Sequence, residues 1–340
     1  MKSFFQLIRY KNLLFIAGLQ WLMRYSVILP ILNTFKVDKA FIMSDLQFGF
    51  LLLATVCIAA AGYVINDYFD TKIDGINRPD TVIVGKTITK KQASLLHQAL
   101  TGIGVALGLF VAFQSQNLSL GFIILLVPGL LWFYSASYKR QFLLGNIIVA
   151  LHAAFVPLLI VIAEMAFLRL NTDELIFATP IPISLYGWVS GFAAFAFITT
   201  LMREIIKDME DVKGDREMES RTMPIVWGIK KTKVVLYLLI AFTITALLFV
   251  QFNLINSFDL LLSETKSTLS IRYIFVGLLL PFAYLVYLLI KAKNTTGFHY
   301  ASSLLKFIMV VGSLYSLVFY FLLAKAQDIS LFNLFIINQG

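Results

Sequence analysis

Charged side chains are scarce in this sequence. Only 14% of its 340 residues are Asp, Glu, Lys or Arg, whereas 59% are hydrophobic and the mean hydropathy is +0.83. A soluble chain of this length needs a larger polar surface, so the composition excludes an ordinary soluble protein. The one cysteine, Cys57, excludes an intrachain disulfide framework. We therefore predict an all-α polytopic membrane protein.

The sequence contains nine apolar runs that are long enough to cross about 30 Å of hydrocarbon as helices. Short turns separate several of them, so we expect neighbouring helices to pack antiparallel in one bundle. The whole chain, residues 1–340, is expected to form a single transmembrane domain. The predicted spans cover residues 13–32, 46–68, 93–114, 118–137, 142–165, 184–203, 234–253, 272–291 and 302–324.

Lys and Arg residues are concentrated on one side of these spans. With a cytoplasmic N-terminus, 20 of the 28 lie in cytoplasmic segments and 6 lie outside, while Arg24 and Lys306 fall within spans. Because Lys and Arg collect in cytoplasmic loops, we predict a cytoplasmic N-terminus and a multi-pass protein of the cell membrane. The net charge of +9 then reflects topology, and nucleic acid is not expected as a partner.

Two acidic clusters with matching spacing lie where spans meet the cytoplasm. "VINDYFDTKID" (64–74) contains Asp67, Asp70 and Asp74, and "IKDMEDVKGD" (206–215) repeats these aspartates 141 positions later. Residues at i, i+3 and i+7 share one face of a helix, provided that the helix continues past the apolar run. Ordinary charged helix ends are the alternative, but two clusters with one spacing favour a site.

A cation is needed to neutralise carboxylates that share a face, and oxygen ligands favour Mg²⁺. Mg²⁺ commonly joins carboxylates to phosphate groups, so two clusters at one level suggest a clamp around a diphosphate. Basic residues that surround the clusters can also bind such an anion. These include Arg78, Lys86, Lys139, Arg203 and Lys207.

These motifs resemble those of the UbiA superfamily of intramembrane prenyltransferases. "NDYFDTKIDGINRPD" and "REIIKDMEDVKGD" are similar to its two aspartate-rich motifs, and "LIRYKN", "YSASYKRQFLLGN" and "RTMPIVWG" are supporting matches. The resemblance implies nine helices around a central cavity whose polar site is capped on the cytoplasmic side. It also implies Mg²⁺-dependent transfer of a prenyl group from a prenyl diphosphate to a lipophilic acceptor.

Site residues follow from the resemblance by position. The diphosphate contacts would be Arg78, Lys139, Arg9 and Lys207, with Lys86 replacing an Arg that many members have after Arg78. The four principal catalytic carboxylates would be Asp70, Asp74, Asp211 and Asp215. The metal site would comprise Asn66, Asp67, Asp70, Asp74, Asp208, Asp211 and Asp215.

Two aromatic and two basic side chains complete the predictions. Tyr134 and Tyr138 can shield an allylic cation with their π faces, although ordinary packing is the alternative for each. Lys306 can extend to the cytoplasmic interface. Arg24 lies near the middle of the first span, so we expect it to face the cavity and meet an acceptor phosphate or a buried acid.

The acceptor is less constrained than the donor. The residues of the two motifs most resemble the branch of the family that makes digeranylgeranylglyceryl phosphate. This resemblance implies transfer of a geranylgeranyl group to geranylgeranylglyceryl phosphate, with an ether as the product. An aromatic quinone-type precursor is the alternative acceptor. A cation-coupled transporter is a third hypothesis, because transporters often contain repeats, but their ion sites usually lie near the midplane. Prenyl length and oligomeric state stay open.

Overall fold

The structure is a computed structural model that describes residues 2–77, 79–255, 268–327 and 331–332. Within these residues nine helices are long and apolar enough to cross a membrane, which confirms the predicted fold class. Four shorter helices accompany them. In chain order the helices are α1 (Lys2–Leu7), α2 (Tyr10–Thr34), α3 (Asp45–Phe69), α4 (Thr71–Asn77), α5 (Lys90–Gln114), α6 (Leu118–Ala136), α7 (Leu144–Thr172), α8 (Ile181–Glu210), α9 (Val212–Glu217), α10 (Met223–Val226), α11 (Gly228–Asn253), α12 (Thr268–Lys291) and α13 (Thr295–Gln327).

Most spanning helices are longer than the apolar runs that predicted them. The helix α13 begins seven residues before the predicted span, and α7 continues to Thr172. Polar residues still form helical backbone hydrogen bonds where a helix leaves the hydrocarbon, so hydropathy alone places the ends too early. Capping boxes mark two true starts, at Ser44 before α3 and at Thr89 before α5.

Antiparallel packing brings distant parts of the chain together. The helix α3 packs against α5, and α8 packs against both α7 and α13. One apolar cluster fills the half of the bundle around Val27, Leu51 and Leu185, while a second joins α8, α11, α12 and α13 around Ile205 and Phe282. These clusters leave a central space toward which the aspartate motifs face.

Arg24 meets a buried acid, which is one of the two predicted partners, and it does not line the cavity. Its Nη1 donates to Glu164 Oε2 at 2.7 Å, and its Nη2 donates to the backbone oxygen of Met43. The Met43 N–H in turn donates to Glu164 Oε1 at 2.8 Å. Arg24 lies in a π-helical stretch of α2, Met23–Ile28, and this buried network joins α2, α7 and the start of α3.

Candidate active site

Both aspartate motifs sit at a break between a spanning helix and a short helix. Asp70 follows α3 with φ −88° and ψ 0°, and Asp211 follows α8 with φ −98° and ψ 7°. Each donates its N–H to the carbonyl four residues earlier, and each accepts from the aspartate four residues later. Although these hydrogen bonds span each junction, the helix is interrupted at the central aspartate of each motif, so the expected uninterrupted helical face does not form.

Asn77 joins the two motifs. Its Oδ1 accepts from the Gly214 N–H at 2.9 Å, and its Nδ2 donates to the Asp211 carbonyl at 3.4 Å. A Cβ at residue 214 would lie about 2.5 Å from the Asn77 amide, so the close approach requires glycine. Neither Asn77 nor this role of Gly214 has a sequence signal of its own, because the contact spans 137 residues.

Gly214→Ala is expected to lower kcat by about tenfold or more, because the new methyl group displaces the Asn77 amide and separates the motifs. The far end of Asn77 can move, so we expect the melting temperature to change little. Gly75→Ala is the matched control, since a Cβ there meets nothing within 4 Å. Steady-state kinetics with a prenyl diphosphate compares the two variants. Equal activities would contradict a role for the Asn77 contact.

The central cavity has a volume of about 1430 Å³. Its polar end is formed by the two helix breaks, and its walls are formed by α2, α3, α6, α7, α8 and α13. Leu19, Ile58, Ile124 and Leu159 line an apolar region. A space with one charged end and an apolar extension fits a molecule with an anionic head and a hydrocarbon tail.

Six of the seven predicted metal-site residues line this cavity, and Asp67 does not. They are Asn66, Asp70, Asp74, Asp208, Asp211 and Asp215.

Several of these side chains already have protein partners. Lys139 donates to Asp70 Oδ1, and burial lowers the pKa of Lys139 while Asp70 opposes that shift. Asn146 Nδ2 donates to Asp208 Oδ2 at 2.8 Å. Burial, followed by the nearby Asp211 charge, raises the pKa of Asp215 to about 6.

The backbone of Lys139 packs closely against Gly145 at the start of α7. A Cβ at Gly145 would lie 2.6 Å from the Lys139 Cα, so the turn after α6 packs directly on the start of α7. Asn146, the next residue, reaches Asp208 from the same place. The stretch "YKRQFLLGN" therefore supplies one contact to each aspartate motif.

Asp67 and Arg9 form an ion pair at the edge of the site. Arg9 Nη2 donates to Asp67 Oδ1 at 2.9 Å, and the guanidinium lies 5.0 Å from the centre of the Tyr63 ring. Burial opposes the charge of Arg9, but Asp67, Tyr63 and Asp74 together outweigh it, and the net pKa of Arg9 is raised. Arg9 lines the cavity, whereas the structure commits Asp67 to Arg9.

Two other predicted residues, Tyr138 and Lys86, do not line the cavity. Tyr134 lines the cavity, but Tyr138 follows the end of α6 and stacks on Phe133 with ring centres 6.1 Å apart. Lys86 is exposed, and its Nζ donates to the Pro79 carbonyl at 2.8 Å. Arg78 lies outside the described residues.

The donor set fits a hard cation that arrives with its phosphate ligands. Among the described residues, no three acidic, histidine or cysteine side chains are close enough to hold a metal ion by themselves. Mg²⁺ usually keeps several waters and takes one or two carboxylates together with substrate phosphates. Carboxylates placed around the polar end, with an amide oxygen at Asn66, suit that kind of site.

The sixth spanning helix carries further charges into the cavity. Arg203, Glu204 and Lys207 line it from α8, and Lys306 lines it from α13. Lys306 is exposed and lines the cavity, and its extension to the cytoplasmic interface stays a prediction. Glu204 was missed, although it lies four residues before Asp208 and thus on the same face of α8.

Comparison with known proteins agrees with the motifs and the fold. The model of the UbiA prenyltransferase family matches residues 38–296. A digeranylgeranylglyceryl phosphate synthase from Methanosphaera stadtmanae is 28% identical over 266 residues, which cover 77% of this chain and 84% of that protein. One from Korarchaeum cryptofilum is 31% identical over 229 residues, which cover 63% of this chain and 73% of that protein.

A solved structure that concerns digeranylgeranylglyceryl phosphate synthase in membranes has the same fold. Its TM-score is 0.59 with 23% sequence identity, and the match covers 94% of this chain and 98% of that chain. The family match extends over more than half of the sequence and includes both aspartate motifs, five of whose six aspartates line one cavity. The chain belongs to the UbiA prenyltransferase family and is an intramembrane prenyltransferase.

Proposed function

We propose that this protein transfers a geranylgeranyl group from its diphosphate to geranylgeranylglyceryl phosphate and forms an ether lipid. One observation carries the proposal: carboxylates from two distant motifs and the cations Lys139, Arg9 and Lys207 surround one end of a long apolar cavity. The relatives named digeranylgeranylglyceryl phosphate synthases support this choice of acceptor. We place residues 1–340 in a single domain.

The reaction breaks the bond between the prenyl carbon and the diphosphate, and the bonding electrons leave with the diphosphate. The acceptor hydroxyl oxygen then forms the new carbon–oxygen bond, and its proton leaves with the diphosphate. Bound Mg²⁺ would supply positive charge to the leaving group. Asp70, Asp74, Asp211 and Asp215 would hold the metal, while Lys139 and Arg9 bind phosphate oxygens.

The surrounding wall serves the same chemistry by excluding water. An allylic cation reacts quickly with water, so the donor carbon has to lie in a dry part of the cavity. Tyr134 lines the wall near the motifs and can place a π face beside the developing charge. The Lys and Arg distribution supports a cell-membrane protein whose acidic motifs face the cytoplasm.

Purified protein in detergent, supplied with geranylgeranyl diphosphate and Mg²⁺, tests the proposal. Geranylgeranylglyceryl phosphate and 4-hydroxybenzoate are offered separately, and mass spectrometry identifies the products. We expect the ether lipid with the first acceptor and no product after EDTA treatment. A prenylated aromatic product would show that the acceptor is an aromatic compound and not geranylgeranylglyceryl phosphate. Uptake of an ion into vesicles without any prenylated product would favour the transporter hypothesis.

A further inference from the structure

The cavity contains positive charge beyond the aspartate motifs and their partners. Glu204 Oε1 accepts from Arg203 Nη1 at 3.0 Å and from Lys207 Nζ at 3.1 Å. Lys306 adds a third cation to the same wall. Glu204 thus lies beside two cations, with Lys306 on the same cavity wall, and an added anion at this point would be stabilised by positive charge.

The packing register places Arg203 opposite Lys306. The contact between His299 Nδ1 on α13 and Glu210 Oε1 on α8 measures 3.1 Å. Arg203 lies seven residues before Glu210, and Lys306 lies seven residues after His299. Seven residues span about 10.5 Å and return a helix almost to the same face. Because α8 and α13 run antiparallel, Arg203 and Lys306 have the same depth and face each other.

The two helices stay in contact on the other side of this pair. A Cβ at Gly312 of α13 would lie 2.1 Å from the Phe195 ring of α8, so the close approach continues deeper into the bundle. Arg203 and Lys306 are thus like charges held on adjacent helices, and they repel each other. Because the two helices pack closely here, they are not spaced apart in a way that would weaken this repulsion.

Donor groups at this point also lack acceptors. Arg203 Nε is buried and has no hydrogen-bond partner. Among the residues that the structure describes, Lys306 forms no hydrogen bond or ion pair, and its side chain is accessible from the cavity. A guanidinium and an ammonium that face each other with free donors form a good site for a phosphate group.

This place is distinct from the diphosphate end of the cavity. Arg203 precedes Asp211 by eight residues, which puts it about 12 Å farther along α8. The reacting hydroxyl of a glyceryl phosphate acceptor is only a few bonds, about 5 Å, from its phosphorus. When that hydroxyl lies beside the donor carbon, the acceptor phosphate lies near the diphosphate but separate from it. Lys207 stands between the two positions on the same helix.

We propose that Arg203 and Lys306 bind the phosphate of the acceptor lipid and thereby select an acceptor that carries a phosphate monoester. The inference rests on the proposed function and names the substrate group that these two residues recognise. Arg203 contributes a planar fork of donors, and Lys306 contributes a mobile point charge from the opposite helix.

The test uses full-length protein with geranylgeranyl diphosphate, Mg²⁺ and either geranylgeranylglyceryl phosphate or geranylgeranylglycerol. Lys306→Met is expected to raise the KM for the phosphorylated acceptor about tenfold or more. The KM for geranylgeranyl diphosphate and for the phosphate-free acceptor should stay within about twofold. Lys306→Arg should restore most of the affinity, and Lys293→Met, which removes an exposed lysine before α13, should resemble the wild type.

Binding of radiolabelled geranylgeranylglyceryl phosphate without donor or Mg²⁺ gives a second readout, and Lys306→Met should weaken it. An equal rise of KM for both acceptors would overturn the inference in favour of a packing role. A rise confined to the donor KM would overturn it in favour of the diphosphate. If the wild-type protein hydrolyses geranylgeranyl diphosphate but never prenylates either glyceryl acceptor, the proposed function itself fails.

Discussion

Asp70→Ala and Asp211→Ala are each expected to lower kcat for prenyl transfer by about 100-fold or more. These two aspartates occupy equivalent helix breaks, and each projects into the polar end of the cavity. Their carboxylates would hold the cation that stabilises the departing diphosphate, so their loss acts on the charge that develops in the transition state. Product formation by mass spectrometry, together with a Mg²⁺ titration, measures the effect.

Glu217→Gln provides the matched control. It removes an acidic charge two residues after Asp215, but from an exposed side chain outside the cavity wall, so activity should stay near the wild-type level. Asp70→Ala also removes the ion-pair partner of Lys139. If either Ala variant kept more than a tenth of the activity with an unchanged Mg²⁺ requirement, its carboxylate would not hold the metal.

Arg24→Met and Glu164→Gln are each expected to destabilise the protein by about 3–5 kcal/mol. The two side chains are 2% and 0% exposed, and they join helices that are 140 residues apart in sequence. Removing Arg24 leaves the Glu164 charge buried without its cation, and removing the Glu164 charge leaves Arg24 with only the exposed Asp45, 3.4 Å away. Arg24→Met/Glu164→Met removes both charges, so it should recover much of the loss.

Thermal unfolding in detergent, followed by tryptophan fluorescence, compares these variants. The exposed pair Arg169 and Glu174 is the control, with side chains 56% and 82% exposed and an N–O distance of 2.9 Å. Arg169→Met should change the stability by no more than about 1 kcal/mol. A change as small for Arg24→Met would show that the buried network contributes little. Activity per folded molecule should persist, because the network lies away from the cavity wall.

Properties that depend on neighbours along the chain could be predicted from the sequence. The nine spans follow from runs of apolar residues, since each helix satisfies its own backbone hydrogen bonds in lipid. The aspartate spacing and its repetition after 141 positions identify the two motifs, and the wording of those motifs indicates the family. Six of the seven expected metal-site residues line one cavity, because helix ends on one side of a bundle meet at one level.

The change of helix direction at each motif could not be predicted from the sequence. Nothing in the spacing of Asp67, Asp70 and Asp74 indicates a bend at Asp70, because the residues before and after it are compatible with a helix. The bend accompanies the docking of α4 on α9, where Asn77 contacts Gly214. Asp67 is then held by Arg9, a residue that precedes it by 58 positions.

The sequence by itself determined the class of protein, its spans, the family and the acidic groups of the site. Only the tertiary structure decided that Arg24 meets Glu164, that Asn77 joins the motifs and that Lys306 and Arg203 line one cavity. Hydrophobicity and helical periodicity act over a few residues, so they can be read along the chain. The partner of a side chain depends on the rotation and register of packed helices, which arise from contacts between segments far apart in sequence.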